Sequence, residues 1–145
     1  TRDMLVIGNA GGTIGRAYGR YYADVPIDGV ELDPELNTVA RRWFGAGDNP
    51  RMRLIAADGR PFLERTHRRY DLIFVDAYRQ PYVPFYLATS EFFRLAREHL
   101  HAKGNVRGGH QQSGHKGGQQ DGDFQGVQIH CAPFCSRSIV SLKRP

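Results

Sequence analysis

The chain has 145 residues, 40% of them hydrophobic, and a formal net charge of +5. That length suits one domain with a sizeable core, and no apolar run approaches the roughly 18–20 residues that a membrane-spanning helix needs. The charge is unevenly placed: residues 1–100 carry 14 Arg, no Lys and 13 acids, whereas residues 101–145 carry 3 Lys and 3 Arg against 2 Asp, so the basic balance argues little for a nucleic-acid partner of the folded part.

The elements can be read in chain order. Met4–Ile7 is a short apolar run stopped by Gly8, as in a buried parallel strand. Gly8–Gly12 is a glycine-rich turn. Thr13–Tyr22 has helical spacing, with Ile14, Ala17, Tyr18 and Tyr21 on one face. Ile27–Leu32 reads as a second strand ending in acids. Asp33 then caps a helix with Pro34 at its first position and an apolar series of Leu36, Val39, Ala40, Trp43 and Phe44. Met52–Ala56 is a third strand, Asp58-Gly59 a turn, and Arg60–Arg65 a short helix. Tyr70–Val75 is the clearest strand, stopped by Asp76. A proline-bearing loop follows, then an amphipathic helix over Thr89–Leu100. This alternation predicts an α/β fold: a Rossmann-like parallel sheet with helices on both faces.

The chain changes character after Leu100. Residues 101–128 are rich in Gly, Gln and His and nearly free of large apolar residues, so they lack the means to bury a core. At best the tail as a whole, residues 105–145, supplies strands at Val127–Ile129 and Ile139–Leu142. The expectation is a folded unit over residues 1–104 and a basic, low-complexity tail that is either disordered or the product of an altered reading frame. Cys131 and Cys135 both lie in the tail and give no disulfide framework. No export signal is visible, because Met4–Ile7 is too short and runs into glycines, which suggests a reducing, cytoplasmic setting. The chain starts beside a strand without an initiator Met, as a piece of a longer protein would.

Parallel sheets of this kind bind ligands at the carboxyl ends of their strands. Gly8, Glu31, Asp58 and Asp76 each lie at or just past such an end. The loop Gly8-Asn9-Ala10-Gly11-Gly12-Thr13 precedes a helix whose free N–H groups and dipole favour a polar ligand, and its glycines permit close approach. It also reads as a tight turn alone. It is neither the dinucleotide G-x-G-x-x-G pattern nor a P-loop. Glu31 follows Gly8 by 23 residues, near the roughly 20-residue spacing at which an acid meets ribose hydroxyls. Asp58, followed by Gly59, is placed to accept from an adenine amino group, though Asp-Gly is also a common turn. Asp76 is placed to act as a base or to bind an amine. Tyr78, Tyr82, Phe85 and Tyr86 lie in the loop after it, either lining a substrate pocket or packing that loop. The histidines and cysteines match no metal-binding spacing, so no metal is expected.

Taken together, MLVIGNAGGTIGR, VELDP, AADGRPFL, YDLIFVDAY and TSEFF resemble the successive motifs of spermidine synthases and their spermidine synthase-like relatives, over Met4 to about Gly104. The resemblance implies a methyltransferase-type fold and a cofactor that is S-adenosylmethionine or its decarboxylated form, without a metal. It implies that Gly8, Gly11 and Gly12 lie against the amino-acid part of the cofactor. Glu31 would hold the ribose, and Asp58 the adenine amino group with Gly59 beside it. Asp76 would stand in the place of the catalytic acid that deprotonates an attacking amine. Tyr78, Arg79 and Tyr82 would contact that small-molecule acceptor, and a homodimer is one arrangement. Two positions depart from the aminopropyltransferase pattern: Ala10 stands where an acid is expected in the glycine loop, and Arg79 where a second Asp grips the diamine. A guanidinium there repels a cationic polyamine, which keeps methyl transfer, or a non-catalytic nucleoside-binding module, as alternatives.

Overall fold

A computed structural model describes residues 3–77 and 84–101, together with the backbone of residues 128–129. Apart from residues 128–129, which fall in the expected Val127–Ile129 strand, the expected tail, its boundary near residue 104, and Tyr78, Arg79 and Tyr82 lie outside the described residues.

Four strands form the centre: β1 (Met4–Ile7), β2 (Ile27–Glu31), β3 (Met52–Ala56) and β4 (Leu72–Val75). All pair in parallel, and the short β5 (Gln128–Ile129) adds to β4, giving the order β3-β2-β1-β4-β5. The register aligns Ile7 with Val30 and Val75, and Glu31 with Ala56. The residues following those positions therefore emerge on one rim.

Strand side chains alternate between faces, and β1 is buried on both. Leu5 and Ile7 join Val30, Ile73, Val75, Leu63, Phe92 and Ala96 beneath α3 (Gly59–Arg65) and α4 (Ser90–Glu98). Met4 and Val6 join Ile27, Met52, Ala40 and Ala46 beneath α1 (Thr13–Tyr21) and α2 (Pro34–Phe44). Helices thus cover both faces, as the alternation predicts. Each fully buried large aliphatic side chain contributes about 1.5–3 kcal/mol.

The helix boundaries follow local chemistry. Asp33 Oδ1 accepts from the Glu35 N–H at 2.8 Å with Pro34 at the first position, and Gly45 ends α2 at φ 62°. Asp58 Oδ1 caps α3 through the Arg60 N–H, so Asp58-Gly59 begins a helix rather than a free turn. Thr89 Oγ1 caps α4 through Phe92. The His99 ring stands between the carbonyl oxygens of Leu95 at 2.9 Å and Thr66 at 3.1 Å, tying the end of α4 to the end of α3.

Two helix faces differ from expectation. In α1 the side turned to the sheet is Gly15 and Gly19, with Ile14 and Tyr18 beside them, while Ala17 and Tyr21 are exposed. A Cβ on Gly15 would come 2.8 Å from Met52 Cε, so the glycine lets α1 sit close. In α2, Asn37 and Ala40 face inward, and the apolar stripe of Leu36, Val39 and Trp43 faces out, with Trp43 71% exposed. That stripe is wider than the face the sheet covers.

At the amino end of the sheet, away from the rim, Asp28 is 1% exposed and fully paired. Arg53, its neighbour across β3, donates through Nε and Nη2 at 2.7 and 2.8 Å, and the Tyr70 hydroxyl donates at 2.9 Å. Arg68 adds a longer contact at 3.5 Å. Burial, with the Asp28 charge and hydrogen bond, pushes the Tyr70 hydroxyl pKa well above the usual tyrosine value. The hydrogen bond to Asp28 likewise raises that of Arg53.

Candidate nucleoside site

The glycine loop is built on three left-handed residues: Gly8 at φ 83°, Ala10 at φ 43° and Gly12 at φ 75°. Gly8 and Asn9 both donate to the Val30 carbonyl, at 2.9 and 3.1 Å, and the Gly12 N–H closes the turn on Asn9 O at 2.7 Å. Gly8 has a steric reason as well, because a Cβ there would come within 2.6 Å of the Asp76–Ala77 backbone. Gly12 is equally constrained, with Ala46 2.9 Å from where its Cβ would stand. Gly11 is different. Its φ is ordinary, and a Cβ would meet only the Phe44 ring at 3.5 Å. The fold itself has room for a side chain at Gly11, so neither packing nor backbone conformation accounts for glycine there.

Glu31 sits at the end of β2, 9% exposed. Its Oε2 accepts from the Ala10 N–H at 2.8 Å and its Oε1 from the Asp33 N–H at 3.2 Å. A carboxylate has about four lone-pair sites, so two donors leave acceptor capacity for a vicinal diol. Asp58, one strand further out, accepts from the Arg60 N–H at 3.1 Å and from the Tyr86 hydroxyl at 3.1 Å. It too keeps lone pairs for a ligand amine. Gly59 is buried, and a side chain there would collide with Ile7, which gives that glycine a packing reason. Asp76 follows β4, with its N–H bonded to the Ile7 carbonyl at 2.8 Å, next to the glycine loop. The structure therefore brings Gly8, Gly11, Gly12, Glu31, Asp58 and Asp76 to one rim, while Tyr78, Arg79 and Tyr82 fall outside the described residues. The α1 amino end carries no side-chain cap and no acid in its first turn, which favours a polar or anionic group near it. Among the described residues, no group of three or more His, Cys, Asp or Glu is arranged to hold a metal ion, and no helix is long and apolar enough to cross a membrane.

The sequence reading missed several parts of this arrangement. The Asn9 side chain lies under the loop at 5% exposure, over Gly29, where a Cβ would come 2.6 Å from the Asn9 amide carbon. Neither its Nδ2 nor its Oδ1 has a hydrogen-bond partner among the described residues. Gly29 inside a strand was the available signal for such close approach. The Tyr86–Asp58 bond spans 28 positions and left no local trace.

Known proteins resemble this chain in sequence and fold. A probable polyamine aminopropyl transferase of Bifidobacterium longum is 38% identical over 103 residues, which are 70% of this chain and 22% of the relative. The crystal structure of a probable spermidine synthase from Corynebacterium glutamicum matches with a TM-score of 0.66 at 27% identity, covering 71% of this chain and 37% of that one. Human methyltransferase-like protein 13, solved in complex with SAH, matches with a TM-score of 0.62 at 26% identity, covering 68% of this chain and 50% of that one. The chain thus spans less than a quarter of the curated relative's length. No protein-family model matches. The resemblance read from the five motifs, and the methyltransferase-type sheet it implies, are borne out.

Proposed function

We propose, for a chain whose core fits the spermidine synthase-like family, that it forms the nucleoside-binding core of a transferase using S-adenosylmethionine or its decarboxylated form. One observation carries the reading: Glu31 and Asp58 end adjacent parallel strands beside the glycine loop, each with acceptor capacity remaining. In this reading Glu31 accepts from the ribose hydroxyls and Asp58 from the adenine amino group, with Gly59 beside it. Gly8, Gly11 and Gly12 lie against the amino-acid part. The bound nucleotide supplies a carbon activated by its sulfonium. Asp76 takes the proton from the attacking amine, so that the nitrogen lone pair is free to form the new C–N bond as the C–S bond breaks. Tyr78, Arg79 and Tyr82 contact the acceptor.

Aminopropyl transfer to a small amine is the leading form of this reading, supported by the name of the B. longum relative. Methyl transfer is the second, favoured by Ala10 in the glycine loop, by Arg79, whose guanidinium repels a cationic amine acceptor, and by the methyltransferase-like neighbour solved with SAH. A cytoplasmic setting, a homodimer and the absence of a nucleic-acid partner belong to the same proposal. Calorimetric titration with both nucleotides tests it. Tighter binding of the decarboxylated form supports aminopropyl transfer. Tighter binding of S-adenosylmethionine supports methyl transfer. Binding of neither overturns the nucleoside reading.

A further inference from the structure

Asp58 has a partner that its motif does not contain. The Tyr86 hydroxyl donates to Oδ2 at 3.1 Å, while Oδ1 accepts from the Arg60 N–H at 3.1 Å. The same Arg60 returns to Tyr86, donating through Nη1 to its carbonyl oxygen at 3.2 Å, and its Nε reaches Glu64 at 3.3 Å. Tyr86 belongs to a 3-10 turn, Phe85–Leu87, whose Leu87 is buried in the core under α3 and α4. The phenol is therefore fixed by its own backbone, by the core beneath it and by Arg60.

The χ2 torsion of an aspartate is broad, so a carboxylate held at one oxygen turns readily about its Cβ–Cγ bond. Donors on both oxygens fix its plane. We propose that Tyr86 is a positioning residue for purine recognition: it locks the Asp58 carboxylate so that a remaining lone pair meets an exocyclic amine at purine C6. The proposal rests on the reading of Asp58 as the adenine acceptor. It adds that discrimination between a C6 amine and a C6 carbonyl depends on a residue 28 positions away. A carbonyl at C6 presents a lone pair to the fixed carboxylate and is rejected. A carboxylate free to turn away rejects it less and rewards the amine less.

The test uses the full 145-residue chain and calorimetric affinities for S-adenosylhomocysteine and S-inosylhomocysteine, which differ at C6 in this sense. The variants are Tyr86→Phe, which removes only the hydroxyl, and Tyr21→Phe, a control at an 82% exposed position at the end of α1. Far-UV circular dichroism and a thermal melt verify that each variant is folded. The wild-type chain and Tyr21→Phe are expected to prefer the adenosyl ligand. Tyr86→Phe is expected to lose up to about tenfold in adenosyl affinity, as the amine–carboxylate hydrogen bond loses its fixed geometry, with the inosyl affinity unchanged or raised and the ratio narrowed. If Tyr86→Phe keeps the wild-type ratio, including by weakening both ligands equally, the positioning role is overturned while the adenine reading stands. If the wild-type chain binds both alike or binds neither, the adenine reading itself fails and takes this proposal with it.

Discussion

The backbone N–H of Ala10 donates to Glu31 Oε2 at 2.8 Å, so the acid that ends β2 also fastens the loop that ends β1. Ala10 makes this bond from a left-handed conformation, φ 43°, which costs a residue with a Cβ about 1 kcal/mol or more. Replacing Ala10 with Gly is expected to remove that strain and raise stability by about 1 kcal/mol, read as a higher denaturant midpoint at unchanged slope. Glu31→Gln is expected to lower stability, because its amide NH2 must face either the Ala10 N–H or the Asp33 N–H, donor against donor.

The loop glycines separate into two kinds. Gly8→Ala puts a Cβ against the Asp76–Ala77 backbone at positive φ and is expected to cost several kcal/mol in a chemical melt. Gly11→Ala meets only ordinary contact with Phe44, so its melt is expected to match the wild type within about 0.5 kcal/mol. Its affinity for S-adenosylhomocysteine is nonetheless expected to fall by tenfold or more, since the methyl group stands where the ligand approaches. Equal melts with equal affinities would take Gly11 out of the site.

The buried Asp28 cluster predicts a pH dependence. The Tyr70 hydroxyl has a folded-state pKa raised above its unfolded value of about 10. Its contribution is fully present below that pH and is lost as pH rises through the higher folded value, because the unfolded chain releases the proton first. Stability is expected to fall above about pH 10, and Tyr70→Phe is expected to flatten that alkaline limb while lowering stability near neutrality. Urea midpoints between pH 7 and 11 measure both.

At neutral pH, Asp28→Asn is expected to cost about 2–3 kcal/mol, because it strips the charge facing Arg53 and leaves the Tyr70 hydroxyl with a weaker acceptor. A urea melt at pH 7 within about 0.5 kcal/mol of the wild type would remove the cluster from the account of stability.

The parallel α/β alternation and its rim were legible because β1 and β4 are short apolar runs ended by Gly or an acid, as Met4–Ile7 before Gly8 and Leu72–Val75 before Asp76 show. The cap at Asp33 was equally plain, since Pro34 and the apolar series follow it directly. Periodicity misread which faces are buried: it counted Trp43 and Tyr21 as inward, while glycines at 15 and 19 carry the close approach of α1. Hydrophobic patterns weigh side chains and are blind to a contact made by the lack of one. Asp28 in the middle of IDGVE gave no sign of its partners, because Arg53, Arg68 and Tyr70 reach it only through sheet pairing and the turn before β4. Tyr86 was visible as a loop aromatic, but its bond to Asp58 depends on the 3-10 turn that Leu87 anchors.

The central claim is that Glu31 and Asp58 together hold an S-adenosyl nucleoside at the carboxyl ends of β2 and β3. Calorimetric titration of S-adenosylhomocysteine into the wild-type chain, Glu31→Ala and Asp58→Ala tests it most directly. The account predicts saturable binding at one site in the wild type and a loss of tenfold or more in each variant, with far-UV spectra unchanged. Folded variants that bind as tightly as the wild type would contradict it.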